Sequence, residues 1–334
     1  MSDADLQHPY SRLTPELVMD AVESLGYLCD ARILALNSYE NRVYQVGIED
    51  EQPLIAKFYR PARWSADAIR EEHAFLLELA AAEIPVVAPL IIKDETLFEH
   101  NGFLFALFPR RGGHAPELSS DDDLELIGRW LARLHLTGEA SVFQHRPLVR
   151  GSADIIAASE TVLSSGLMPD DYRSAYESLI RDILAHTDQQ FTDNRFPTLR
   201  LHGDMHTGNL LLRDEQLWLV DFDDCVQGPA MQDIWMLLSG SPEEHRQQLM
   251  VIAEGYEMFR PFPAAELVLT YPQKQDVRLD GNKIGTFKHL PPTLLLQYHF
   301  MPEAVFSPYV GAGINYTRIS GVDLANGLQL DSNS

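Results

Sequence analysis

The spacing of apolar and polar positions divides the chain into three regimes. The first runs to about residue 108. Thr14-Pro15 followed by Leu17, Val18, Ala21 and Val22 has the spacing of a capped helix ending at Gly26. Residues 32–46 and 54–58 carry short strand-like runs. Ser65 can cap a helix reaching about Glu83, with Ile69, Leu76 and Leu79 as its apolar stripe. Residues 84–92 and 96–108 read as further strands. This part is a mostly antiparallel sheet with one long inserted helix. After Pro109-Arg110-Arg111-Gly112-Gly113 the period becomes helical. Helical patterns cover 121–136, 153–165, 169–190, 230–240 and 242–259, interrupted by one hairpin near 210–220. From about Ala264 the period changes again. Tyr309 to Arg318 alternates strictly, and Leu294 to Phe300 alternates with it, as two-sided strands do. The pattern predicts an α+β chain: a sheet lobe (1–108), a helical lobe (109–265) and a strand-rich tail (266–334).

Composition narrows the function classes. The chain has 334 residues, 45% of them hydrophobic, enough for a two-lobed globular core. Its net charge of −23 opposes phosphate backbones and anionic lipid, so no nucleic-acid partner is expected. The densest basic cluster is Arg110-Arg111. Cys29 and Cys225 lack metal-ligand spacing and read as free thiols of a reducing compartment. No secretory pattern opens the sequence, and residues 84–92, the longest apolar run, are broken by two prolines. A cytoplasmic protein is expected.

The chemistry concentrates in Leu201-His202-Gly203-Asp204-Met205-His206-Thr207-Gly208-Asn209 and Leu219-Val220-Asp221-Phe222-Asp223-Asp224. The apolar runs between them form a hairpin, which returns Asp221 to the level of Asn209. An amide oxygen beside a carboxylate suits a hard cation such as Mg²⁺ that leaves positions for phosphate oxygens. Asp204, one short loop earlier, can accept a proton from an attacking hydroxyl. A zinc reading of His202 and His206 lacks a third ligand, and His202 reads as a structural hydrogen-bonding residue. Lys57 lies at the end of a buried strand and needs a partner. Glu72 shares the inward face of the following helix with Ile69, Leu76 and Leu79, and can supply it. Ser38, between two strand-like runs, can contact a phosphate or sit in a plain hairpin turn. Asp233 can cap its helix or brace the catalytic loop.

These motifs resemble the aminoglycoside-phosphotransferase-like kinases, and among them the stress response kinase A family. The resemblance covers about residues 1–265. It is carried by Leu36-Asn37-Ser38-Tyr39-Glu40-Asn41-Arg42-Val43-Tyr44, Lys57-Phe58-Tyr59-Arg60-Pro61, Glu71-Glu72-His73, His145-Arg146-Pro147, the HGDMHTGN run and Gly228-Pro229 through Leu238. It implies a two-lobed kinase fold and an ATP- and Mg²⁺-dependent serine/threonine protein kinase linked to stress survival. By match to the motif, Asp204 is the proton acceptor, Asn209 and Asp221 hold Mg²⁺, Ser38 lies at the ATP site, and Lys57 with Glu72 orients phosphates. Beyond about Ala265 that family continues with further helices, and this sequence does not. Residues 264–334 instead resemble an interior stretch of the outer-membrane protein W barrels. The match rests on His289-Leu290-Pro291-Pro292-Thr293-Leu294 and the run from Pro308 to Thr317. About 70 residues hold at most three or four barrel strands, so a closed barrel and productive membrane insertion are not expected. Proteolysis is expected first between about 270 and 290, where Gln273 to Lys288 is polar and contains glycine.

Two other readings share these residues. A small-molecule kinase acting on an amino alcohol, sugar or aminoglycoside would use the same groups. A non-catalytic chimera with a damaged kinase lobe would not bind Mg-ATP.

Overall fold

The computed structural model describes residues 9–36, 38, 40–193, 197–214, 216–266, 273–279, 282–289, 297–299, 309–311 and 320–324. The chain forms two compact units: residues 1–149 with 197–264, and residues 150–196 with 265–334.

In the first unit α1 (Pro15–Glu23) starts where the pattern places it, with the Thr14 hydroxyl accepting from the Leu17 N–H and Pro15 in the first turn. The sheet has five antiparallel strands in the order β1 (Cys29–Leu36), β2 (Arg42–Ile48), β3 (Leu54–Phe58), β5 (Phe103–Pro109), β4 (Phe98–His100). Period-two alternation gives the sheet two different faces. Leu54, Ala56, Phe58, Phe103, Phe105 and Leu107 pack with Val18, Ala21 and Val22 of α1 into one core. The stacked rings of Phe58 and Phe105, 5.2 Å apart, sit at its centre. Lys57, between Ala56 and Phe58, therefore points to the other face. Helix α2 (Ala66–Ala81) is capped by Ser65 and buries Ile69, Glu72, His73, Phe75, Leu76 and Leu79.

Residues 84–92 are not the expected strand. Pro85 and Pro89 have no N–H to give a ladder. The segment makes one parallel bridge, Val86 to Leu219, and a bond from the Leu90 N–H to the Leu107 carbonyl. Helices α3 (Asp121–Glu139) and α7 (Pro242–Glu257) each begin with a capping box, Ser120 with Asp123 and Ser241 with Glu244. They meet backbone to backbone: a Cβ on Gly128 would lie 2.2 Å from the Ile252 carbonyl oxygen, and one on Gly255 2.0 Å from that of Glu125. The expected hairpin is β7 (Leu210–Arg213) with β8 (Gln216–Leu219). A second pairing, β6 (Leu199–Leu201) with β9 (Val226–Gly228), was not anticipated, because three-residue strands 25 residues apart leave no periodic trace. The helix expected at 230–240 is only α6 (Met231–Trp235), giving way to bonds three residues back at Leu237 and Leu238.

The second unit holds α4 (Ser152–Ser164) and α5 (Asp170–Asp193). Its described strands are β10 (Gln273–Leu279), β11 (Asn282–His289) and β14 (Ser320–Leu324) in one sheet, and β12 (Gln297–His299) with β13 (Tyr309–Gly311) in another. Of the region between about 270 and 290, where proteolysis is expected first, residues 273–279 and 282–289 are paired antiparallel as β10 and β11, and the remainder lies outside the described residues. Of the two alternating runs, 297–299 and 309–311 are strand; their remainders lie outside the described residues. The mixture of sheet and helix is the α+β class the pattern predicts.

Candidate active site

The site lies wholly within the first unit and is built by the β7–β8 hairpin, the segments flanking it, β3 and α2. The Val220 N–H donates to the Asn209 carbonyl at 3.0 Å, carrying the hairpin ladder one step past Leu210 and Leu219. Asn209 and Asp221 thus stand together at the open end. Asn209 Nδ2 donates to the backbone carbonyl of Asp204 at 2.9 Å and to its Oδ2 at 3.1 Å. That leaves Asn209 Oδ1 for a cation. Asp221 has left-handed backbone angles (φ 61°, ψ 63°), and 54% of its side chain is exposed. An amide oxygen and an open carboxylate are a hard-oxygen donor set, too small to enclose an ion and suited to one that shares its shell with phosphate. Mg²⁺ fits these residues. Among the described residues, no group of three or more His, Cys, Asp or Glu side chains could hold a metal.

Asp204 is held from several sides. Burial alone raises its pKa, but the bond and charge of His206, the charge of His202 and the Asn209 amide outweigh it and keep the carboxyl below its ordinary range. His206 Nε2 lies 3.4 Å from Asp204 Oδ2. Its Nδ1 accepts from the Gly208 N–H at 2.9 Å, which fixes the tautomer. The bond to Asp204 raises the His206 pKa. His202 Nε2 donates to the Val220 carbonyl at 2.9 Å, and its Nδ1 accepts from the Asp204 N–H at 3.2 Å. Both rings are spent on holding the loop, as the structural reading of His202 requires. Asp233 is fully buried and braces the same loop, accepting from the N–H groups of His202 and Gly203 at 2.9 Å each. Gly203 (φ +85°) passes so close to the Asp224 carbonyl oxygen that a Cβ would lie 2.1 Å from it.

Lys57 completes the site. Its Nζ lies 3.4 Å from Glu72 Oε1, 3.3 Å from Asp221 Oδ1 and 3.3 Å from Asp223 Oδ1. Burial works against the ammonium, but Glu72, Asp223 and Asp221 overcome it and raise its pKa well above the usual value. The structure therefore joins Lys57 to Glu72, as the helix-face argument requires, and to Asp221. Ser38 sits in the β1–β2 connection. That connection is tied down at Glu40, whose carboxylate accepts from Arg60 at 2.6 Å, and at Asn41, whose Oδ1 accepts from the Arg60 N–H at 3.1 Å.

Three further charged groups belong to the site. Asp223 binds Lys57 and Arg63. Burial opposes its charge, yet Lys57, Arg63, Asn41 and Arg146 bring its pKa down to about 2. Its signal was present in DFDD but looks like a solvated acidic turn. Arg63 also binds Asp224 at 2.7 Å, and nothing near it in sequence marks it. Arg146 binds Glu72 at 2.6 Å. It lies in a motif that carried the family resemblance without an assigned role.

Residues 32–267 match the model of the phosphotransferase enzyme family, and residues 243–330 match that of the OmpW family. Stress response kinase A of Escherichia coli K12 is 43% identical over 267 residues, covering 79% of this chain and 80% of its own. A serine/threonine protein kinase, RdoA, of Salmonella typhimurium LT2 is 44% identical over 264 residues with the same coverage. Among solved structures, an amicoumacin kinase in complex with AMP-PNP, Ca²⁺ and its ligand superposes with a TM-score of 0.61 at 18% identity, over 78% of this chain and 81% of that one. A microcompartment-associated aminopropanol kinase gives 0.54 at 18%, over 76% and 83%. At these identities the solved structures speak for the fold alone.

Proposed function

The chain belongs to the phosphotransferase enzyme family, and from that premise we propose that it is an ATP-dependent serine/threonine protein kinase of the stress response kinase A type. The observation that carries the reading is that Asp204, Asn209, Asp221 and Lys57 lie in one unit with the roles separated by environment. Asp204 is an ionised carboxylate fixed by its neighbours, Asp221 an open carboxylate, and Lys57 a buried ammonium. Asn209 and Asp221 would hold Mg²⁺, which neutralises charge on the phosphates when bound. Lys57, kept in place by Glu72, orients the phosphates of ATP, and Ser38 lies at the ATP site. Asp204 takes the proton of the acceptor hydroxyl as its oxygen bonds to the γ-phosphorus and ADP leaves. In this reading two lobes, 1–108 and 109–265, bear the site, and 266–334 is an outer-membrane-barrel-like fragment that supplies none of its groups. The working compartment is the cytoplasm.

The protein acceptor is supported by the stress response kinase relatives, which match at more than twice the identity of the small-molecule kinases of known structure. The test is a radiolabelled-ATP assay of the purified chain with Mg²⁺, against a generic protein acceptor and against amino alcohols and aminoglycosides. Label on protein Ser or Thr is expected. Label confined to small molecules moves the assignment to the second class. Failure of Mg-ATP to bind ends the kinase reading.

A further inference from the structure

We propose that Arg146 is a positioning residue for the Lys57–Glu72 pair, and that through it α2 and the turn carrying Asp221 are held together in the phosphate-orienting geometry; this rests on the kinase reading above. The Arg146 side chain is completely buried. Its Nε donates to the Ala68 carbonyl at 2.8 Å and its Nη2 to Glu72 Oε2 at 2.6 Å, both on α2. Its Nη1 donates to the Asp223 carbonyl at 2.6 Å, two residues after Asp221. The guanidinium lies over the Trp64 ring, 4.5 Å from its centre.

Glu72 has two oxygens, and they are divided: Oε2 to Arg146, Oε1 to Lys57. Arg146 thereby sets the rotation of the carboxylate that Lys57 sees. Arg146 is itself held by its main chain. The neighbouring Glu71 accepts from the N–H groups of Gln144, His145 and Arg146 at 2.6, 2.7 and 3.0 Å. Two consecutive glutamates of α2 thus grip one residue, one by its backbone and the other by its guanidinium. Withdrawing α2 from the turn would carry Arg146 with it and strip the Asp223 carbonyl from a buried guanidinium N–H, a loss the low-dielectric interior resists. Arginine is required because a fixed planar fork reaches three acceptors at once, and a lysine ammonium on a flexible stem does not.

The test is a double-mutant cycle in the full chain, reading the Kd for Mg-ATP alongside thermal stability. Arg146→Met is expected to weaken Mg-ATP about tenfold and Lys57→Met at least as much. The double variant is expected to bind no more than about twofold more weakly than Lys57→Met alone, because Arg146 acts through Lys57. Arg146→Lys keeps a charge in the site, guards against a variant that fails to fold, and is expected to lose about threefold with the same interdependence. Multiplying losses, or unchanged affinity in both Arg146 variants, would overturn the proposal. A wild-type chain that does not bind Mg-ATP would instead overturn the kinase reading.

Discussion

At the scale of single residues, Asp204 and Asp221 should fail in different ways. Asp221→Ala removes a direct oxygen ligand and should weaken Mg-dependent ATP binding by about tenfold or more. Asp204→Ala should leave the Kd within about twofold while kcat falls on the order of 10²–10⁴, the usual worth of a positioned base. Titration of both variants with Mg-ATP, beside single-turnover rates, separates the roles; equal binding losses would refute the assignment. His73 makes a pH prediction. Burial, with the charges of Lys57 and Arg146, drives its pKa from 6.5 down to about 3, and its ring bonds Tyr59 at 2.7 Å and Thr96 at 2.8 Å. Below pH 6.5 the unfolded chain takes up a proton that the folded chain refuses. Stability should therefore fall with pH, by about 1.4 kcal/mol per unit well below 6.5. Between pH 7 and 5.5, His73→Gln should lose about 1 kcal/mol less than the parent in denaturant titrations, and equal losses would show that His73 is not the group responsible. What the sequence disclosed at this scale was the short-range part. Asn209 and Asp221 flank one hairpin and Asp204 stands one short loop before it, so spacing alone joined them. Glu72 was found because helix period fixes its face. Arg63 and Asp223 meet across 160 residues, and no local pattern records such a meeting.

At the scale of elements, the α3–α7 contact is the sharpest constraint. Gly128 and Gly255 let two helices approach until backbone meets backbone, and these helices hold the brace of the catalytic loop. Tyr256 of α7 bonds His135 of α3 at 2.8 Å, and His135 lies 3.3 Å from Asp233. Gly255→Ala should cost about 1–3 kcal/mol by forcing the helices apart, although alanine is the better helix former. Thermal melts of the single variant check this, and a rise in Tm would show that the approach is looser than described. Two capped helices were legible because each carries its own start signal, Thr14-Pro15 for one and Ser65 for the other. Segment 84–92 was not, because apolar composition favoured a strand while two prolines removed the donors a ladder needs. β6 and β9 escaped because strands this short depend on tertiary contacts for their existence.

At the scale of the molecule, every group assigned to the site lies in residues 1–149 or 197–264, although the phosphotransferase and OmpW matches overlap over residues 243–267. Removal of 270–334 should leave the Kd for Mg-ATP within about twofold and should reduce self-association in light scattering. Loss of binding on that deletion would make the tail part of the fold. The changing period of the sequence suggests three successive parts, whereas the two compact units are 1–149 with 197–264 and 150–196 with 265–334, a grouping that no local period records; the pairing of the tail strands was not legible either, since alternation gives faces and no partners. The long reach of the ion pairs around Lys57 also has a consequence for biosynthesis. Glu72 leaves the ribosome 15 residues after Lys57, but Asp221 only 164 residues after it. At about 5–20 residues per second, that interval is roughly 8–33 s. During it Lys57 has one carboxylate of its eventual three, and Arg63 lacks both aspartates that hold it. At Lys57 and Arg63 the early sheet must wait for these partners, and translation through residue 224 delivers the acidic turn that supplies them.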